Sequence, residues 1–292
     1  MAGDMPASIG AVVPNYNYAR YLPERIASIL AQERMPGTLV FLDDLSTDNS
    51  WAIAPALLAP FPGRLVTHRN TVRSGSPLRQ WRAGLDRLDT DLVWIAEADD
   101  RCAPGLLAAL AARLEADPAA RFAFCDSAPI DPEGNRLAED SQAYYRTGEA
   151  NPLAEDAVFP ASEFLRRCLL PKNMVVNASA VLWRAEALGA ALREVEGELG
   201  HWLCAGDWRA YAAACLQGGT VHYLATPLNE HRRHGGSVTR ATQPARHFGE
   251  VVLMHSRLRA ALGPDAERDA AMRRHLADLR RAWKLDPQGA AA

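Results

Sequence analysis

The sequence predicts an α/β fold, a mostly parallel sheet flanked by helices, followed by a mixed α+β region and C-terminal helices. Two observations carry that class. Over the first 130 residues, short apolar runs alternate with helix-period segments, and such a rhythm calls for crossover connections between parallel strands. The chain is also long and apolar enough for a full core: 292 residues, 48% hydrophobic and 23% charged, which suits one large domain or two ordinary ones.

Taken in order, Ser8–Val13 reads as a buried strand, and Leu22–Gln32 has helical spacing at Leu22, Ile26, Ile29 and Leu30. Leu39–Leu42 is a second strand, running into Asp43 and Asp44. Thr47 or Asp48 caps a helix to about Leu58, kinked at Pro55 and ended by Pro60 and Pro62. Arg64–His68 is a third strand, Pro77–Leu88 a helix with proline in its first turn, and Leu92–Ala96 a fourth strand. Pro104–Ala116 is helical and Arg121–Cys125 is a fifth strand. After Asp126 the rhythm breaks, and the polar stretch Arg136–Phe159 reads as a long active-site loop. Ala161–Leu169 is helical, Ser179–Trp183 strand-like, Gly206–Leu216 a helix and Thr220–Leu224 a strand. Pro244–Leu262 and Ala266–Trp283 are amphipathic helices, and Gln288–Ala292 is a frayed end. These elements divide the chain into interlocked parts: 1–130, 131–242 and a helical extension 243–292.

Charge and composition exclude several function classes. A net charge of −3 lacks the basic excess of a nucleic-acid binder. No apolar run approaches the roughly 18–20 residues that span a bilayer, and the N-terminus has no signal-peptide core, so a cytoplasmic location is expected. The five cysteines, odd in number and widely spaced, fit reduced thiols rather than a disulfide framework or zinc site.

In open α/β sheets, ligands bind beyond the carboxyl ends of the strands. Strand one runs into Pro14-Asn15-Tyr16-Asn17-Tyr18, strand two into Asp43-Asp44-Leu45-Ser46-Thr47-Asp48, and strand four into Glu97-Ala98-Asp99-Asp100. One rim thus gathers aromatics and crowded carboxylates, which repel unless a cation or hydrogen-bond donors compensate. A hard divalent ion, Mg²⁺ or Mn²⁺, held by one or two carboxylates and substrate phosphates would do so. Asp48 taken alone reads as an Asx-turn or helix cap. There is no glycine-rich phosphate loop of the Rossmann or Walker type.

VVPNYNYARYLPERIASILAQ, FLDDLSTDNS and LVWIAEADD, in that order, resemble the successive motifs of family-2 glycosyltransferases with the GT-A fold. The likeness covers about residues 8–130. It implies a nucleotide-sugar donor, with UDP first, and an inverting transfer to a hydroxyl of a glycan or lipid-linked acceptor, as in bacterial surface polysaccharide synthesis. Pro14 and Tyr16 would flank the uracil in the donor-binding segment that includes Asn15, and Asp44 would accept the uracil N3 hydrogen. Asp99 would lie near the ribose and Asp100 would ligate the metal. Leu45 stands where the family frequently has glycine. Arg79, in the stretch that the family passes beneath the sugar-diphosphate, would contact phosphate or the acidic rim; a solvated helix arginine is the alternative. Trp81 reads as core.

The second half would supply the acceptor side. Gly206-Asp207-Trp208-Arg209 resembles the family's segment carrying the catalytic base, so Asp207 would deprotonate the acceptor hydroxyl; an acid at a helix start is also a favourable cap. His231-Arg232-Arg233-His234-Gly235-Gly236-Ser237-Val238-Thr239 resembles the family's terminal Arg-x-His-x-x-Ser loop. His234 would complete the metal shell and Arg233 would grip the diphosphate; a flexible basic loop is the alternative reading. Two rival functions share the fold: a nucleotidyltransferase, which lacks its glycine-rich triphosphate loop here, and an inactive sugar-nucleotide-binding scaffold. The basic tail (Arg257, Arg259, Arg268, Arg273, Arg274, Arg280, Arg281 and Lys284) suits either peripheral contact with anionic lipid at the inner face of the cytoplasmic membrane, or packing on the catalytic domain or a homodimer partner.

Overall fold

The computed structural model describes residues 6–147, 150–237 and 242–285. The N-terminal half carries β1 (Ile9–Asn15), β2 (Thr38–Asp43), β3 (Arg64–Arg69), β4 (Leu92–Ile95), a short β5 (Arg101–Cys102) and β6 (Ala120–Ile130). The later chain adds β7 (Ala157–Pro160), β8 (Val181–Arg184) and β9 (Thr220–Arg232) to the same sheet. Its strand order is β3-β2-β1-β4-β8-β6-β9-β5, with β7 also on β9. The long pairings β1–β2, β2–β3, β1–β4 and β6–β9 are parallel; β8 lies antiparallel between β4 and β6.

Helices cover both faces because the buried strands are apolar on both sides. Along β1, Ala11 and Val13 point into a core shared with α1 (Leu22–Leu30), α2 (Ser50–Leu58) and α4 (Leu106–Ala116). Val12 points the other way, into a core with α3 (Pro77–Leu85), α7 (Ala185–Glu194) and α8 (Gly206–Leu216). This alternation is the two-residue period of a strand. Trp81 lies in the second core, as expected.

Three sequence readings are corrected. The strand beginning at Thr220 continues to Arg232 instead of stopping at Leu224. Pro227 would interrupt a regular ladder, but register shifts on both sides of Asp126, which pairs with Pro227, absorb it. The stretch 136–159 is not all loop: it contains α5 (Gln142–Tyr145) and most of β7. Helix α7 was not anticipated from sequence; it starts directly after β8 and packs on α8 and α3. The predicted helix Ala161–Leu169 is present as α6 (Ala161–Phe164) continuing into a π-turn over Leu165–Leu169. All five cysteines are free.

The two C-terminal helices, α9 (Pro244–Leu262) and α10 (Ala266–Ala282), pair with each other and pack on the body of the protein. Val251, Met254, Leu258 and Met272 are buried against it. Trp208 meets His255 and His275 edge-on, and these two histidines share a 3.0 Å hydrogen bond. Arg257 pairs with Glu198 across the same seam at 2.9 Å. No described helix is long and apolar enough to cross a membrane, and Gln288–Ala292 lies outside the described residues.

One side chain ties this extension to the start of α8. The Glu250 carboxylate, buried on α9, accepts hydrogen bonds from the backbone N–H groups of Leu203, Cys204 and Ala205 at 2.8–3.1 Å. No side chain caps α8 itself, so Glu250 supplies from outside the acceptor that the approach to its N-terminus lacks. Glu250→Ala strands three amide donors and is expected to lower stability by about 1–3 kcal/mol, read as a lower midpoint in urea unfolding.

Candidate active site

The carboxyl ends of β1, β2 and β4 open on one rim, and the Glu97–Asp100 turn is its most tightly held part. Arg25, fully buried on α1, donates from Nε to the Glu97 carbonyl (2.8 Å) and from Nη2 to Ser179 Oγ (2.8 Å). Ser179 Oγ in turn donates to Asp100 Oδ2 (2.7 Å) and accepts from the Glu97 N–H (3.0 Å). Asp100 also accepts from Asn177 Nδ2 (2.8 Å) and from the Arg232 N–H (2.9 Å). Its residue is 1% exposed, and burial together with neighbouring Asp99 pushes its carboxyl up. Asp100, expected as a metal ligand, thus has its oxygens engaged by three protein donors in this structure.

Asp99 is the acid that faces the site. Its Oδ2 stands 3.0 Å from His234 Nε2, and His234 is enclosed by the rings of Tyr18 and Tyr21. The two are directly hydrogen-bonded here, and two ligands placed cis at about 2.1 Å on an octahedral ion would also stand about 3 Å apart. No cluster of three or more potential His, Cys, Asp or Glu ligands occurs among the described residues, leaving phosphate and water to complete such a shell. Glu97 lies behind, accepting from Trp81 Nε1 at 3.2 Å; burial pushes its carboxyl up to about 8.

His234 reaches Asp99 because β9 extends as far as Arg232, whose side chain is completely buried. Arg232 pairs with Glu24 (2.8 Å) and donates to the carbonyls of Asp99, Asp131 and Pro132. Residues 231–237 thus form a strand end followed by a turn anchored through Arg232. Val238 and Thr239 lie outside the described residues.

At the β1 and β2 ends, Pro14 and Asn15 are buried and Tyr16 is half-buried. Asn15 Nδ2 donates to Asp43 Oδ1 and Ser46 Oγ, and Asn17 Oδ1 accepts from the Thr47 N–H, stitching the two loops together. The Arg73 guanidinium stacks 3.6 Å from the Tyr16 ring centroid, on the ring expected to flank a nucleobase. Asp44 accepts from Asn70 Nδ2, the Ser74 N–H and Oγ, the Gly75 N–H and Gln80 Nε2. With its carboxylate engaged by five donors, Asp44 can accept a base N–H only by releasing one of them. Leu45 has φ 61°, the left-handed conformation that favours glycine, which gives the family's frequent glycine there a physical reason. Asp48 accepts from the Ala19 and Ser50 N–H groups, the Asx-turn role read for it alone.

Asp207 opens α8. Its Oδ1 accepts from the Trp208 N–H (2.7 Å) and its Oδ2 from Asn173 Nδ2 (3.3 Å). Burial pushes the carboxyl up to about 6. Preceding it, Gly206 lies against α3: a Cβ there would come within 3.0 Å of Leu78. The same helix α3 carries Gln80 to Asp44 and Trp81 to Glu97, so one rigid element spaces the base candidate from both acidic strand ends.

The two arginines expected to contact phosphate differ in what they meet. Arg79 donates from Nη1 to the Ser74 carbonyl (3.1 Å) and rests on Gly200, bracing loops rather than meeting the acidic rim. Arg233 is exposed and makes no ion pair among the described residues, which leaves it available to a ligand. Residues that sequence reasoning missed are Arg25, Asn177, Ser179 and Arg232; only their tertiary partners distinguish them from ordinary helix or strand residues. Removing the Ser179 hydroxyl takes a donor from Asp100 and an acceptor from Arg25. Ser179→Ala is therefore expected to cost about 1–3 kcal/mol, measured by thermal or urea unfolding.

Comparison with known proteins places this geometry. Residues 11–168 match the family model described as glycosyl transferase family 2. An uncharacterized glycosyltransferase of Nostoc sp. is 34% identical over 94 residues, 32% of this chain and 28% of that protein. An uncharacterized protein of Mycobacterium tuberculosis is 35% identical over 116 residues, 40% of this chain and 35% of that protein. The match thus spans about a third of the length of these curated relatives. Among solved structures, S. aureus TarS 1–349 with UDP-GlcNAc superposes with a TM-score of 0.67 at 16% identity, covering 96% of this chain and 74% of that one. The mannosyltransferase PcManGT of Pyrobaculum calidifontis, solved with GDP-Man and Mn²⁺, gives 0.59 at 16% identity, covering 98% and 77%. The likeness to these structures shows a shared GT-A fold. With more than half its length matched by the family model, the chain belongs to glycosyl transferase family 2.

Proposed function

We propose that the protein is a metal-dependent, inverting glycosyltransferase. It would move a hexosyl or N-acetylhexosaminyl group from a nucleotide-sugar, with UDP the first choice of nucleotide, to a hydroxyl of a glycan or lipid-linked acceptor. The observation that carries this reading is the pairing of Asp99 with His234 at the strand ends, with Asp207 spaced from that rim by α3. The donors bound by the two structural neighbours, UDP-GlcNAc and GDP-Man, support the nucleotide-sugar class.

In this reading Asp99 and His234, backed by Asp100, would hold Mn²⁺ or Mg²⁺, whose charge would offset that of the diphosphate leaving group. Tyr16 offers its ring to the nucleobase once Arg73 moves or sandwiches it, and Arg233 is free to contact phosphate. Asp207 accepts the proton of the acceptor hydroxyl as that oxygen attacks the anomeric carbon. One displacement from the face opposite the phosphate inverts configuration. Two hydrogen bonds orient the Asp207 carboxylate, while its raised pKa makes it a stronger base than a solvated aspartate.

A base must be ionised, so transfer is expected to fall about tenfold per pH unit below the Asp207 pKa of about 6 and to level off above it. Asp207→Asn is expected to lower transfer by about a hundredfold or more while nucleotide binding persists. Nucleoside-diphosphate release and calorimetric titration with UDP check the two halves. Transfer unchanged in Asp207→Asn would remove the base assignment, whereas nucleotide binding with no transfer by the unmodified chain would favour the inactive scaffold. For the metal, His234→Ala should require a higher Mn²⁺ concentration for half-maximal nucleotide binding, whereas Asp100→Asn should chiefly lower stability; unchanged turnover after chelation would refute metal dependence.

A further inference from the structure

The strongest site outside this centre is a groove of about 960 Å³ between residues 146–147, 150–152 and 166–172 on one side and helix α10 on the other. Its walls bring together Arg146, Arg166, Lys172 and Arg274. None of the four forms an ion pair among the described residues, although the rest of the surface is rich in such pairs. Lys172 is fixed rather than waving in solvent: its ammonium donates to the carbonyls of Tyr144 and Arg146 and lies 4.5 Å over the Tyr144 ring. Two of the acids on the walls are already committed. Asp265 caps α10 and pairs with Arg268, and Asp278 pairs with Arg281. Glu267 is the third acid of the lining, and Asp278 also acts on Lys172. Six basic side chains thus face three acids and the concave wall keeps a net positive charge, which raises the local concentration of anions.

Its position gives that charge a use. Lys172 is followed directly by Asn173, whose side chain donates to Asp207 and whose carbonyl accepts from the Tyr144 hydroxyl. The wall that fixes the cation is thus the wall that orients the candidate base. We propose that this groove binds the phosphate-bearing portion of an anionic acceptor and delivers the neighbouring hydroxyl to Asp207. This deepens the transferase reading and rests on it. The recognised chemistry is a phosphate ester or diphosphate, supplied by a soluble phosphate-containing chain or by a lipid headgroup. Arg166 lines the groove from one wall and Arg274 from helix α10 on the other, with Lys172 next to Asn173 in the chain.

The test uses the full chain, low salt and a chelator, so that the acidic rim holds no cation that could recruit phosphate. One arm titrates short-chain inorganic polyphosphate; the other sediments vesicles of phosphatidylcholine with or without phosphatidylglycerol. The expected result is salt-sensitive binding in one or both arms, roughly tenfold weaker in R166E/R274E and unchanged in R64E/R273E, which reverses the same charge elsewhere. The arm that responds identifies the source of the phosphate. Absence of binding in both arms, or equal binding by the two double variants, would overturn the proposal. UDP titration with Mn²⁺ is run on the same proteins. Loss of UDP binding by the unmodified chain would count against the transferase reading, whereas normal UDP binding with no groove effect would count against the groove alone.

Discussion

The structure depends on two buried guanidiniums that hold a crowded acidic turn in place. Glu97, Asp99 and Asp100 stand within four residues of one another, and such charges resist burial unless they meet donors. Arg25 reaches the turn from one side and Arg232 from the other, both with almost no exposed surface. Ser179 and Asn177 complete the contact with Asp100. Because Asp100 is satisfied inside, the turn keeps one orientation, and that orientation aims Asp99 at His234. The rim is thereby organised by the protein before any ligand arrives.

Helix α3 extends that order to the acceptor side. It is short, but its residues touch three different parts of the site: Gln80 holds Asp44, Trp81 meets Glu97, and Leu78 abuts Gly206 beside Asp207. A helix is a stiff spacer, so a change at one of these contacts is transmitted to the others through packing rather than through a loop. The C-terminal helices add a second brace through Glu250 and Trp208. The basic tail therefore serves packing with its buried face, while part of its exposed charge lines the groove next to Lys172.

Much of this was legible in the sequence where the signal is local. The strands β1 to β4 and helices α1, α3, α8, α9 and α10 follow from apolar periodicity and proline placement. The acid-rich strand ends follow from the same reading, since a parallel sheet sends them all to one rim. Long-range effects were not legible. Pro227 looks like the end of a strand until register shifts in β6 accommodate it. Helix α7 begins immediately after β8, without the polar break that usually marks a helix start. The adjacent acids Asp99 and Asp100 are equivalent as letters, and only their neighbours from 77 or more residues away separate the inward one from the outward one.

The sequence by itself determined the α/β class, the family and the set of acids and histidines from which a site can be built. Those follow from periodicity and motif order, which are properties of neighbours along the chain. Tertiary structure decided what surrounds each of these groups. It buried Asp100 under three donors, engaged Asp44 with five, raised Asp207 by burial, and brought His234 against Asp99 across 135 residues. The reason is physical: desolvation and hydrogen-bond satisfaction depend on what surrounds a group in space, and sequence adjacency carries little information about that.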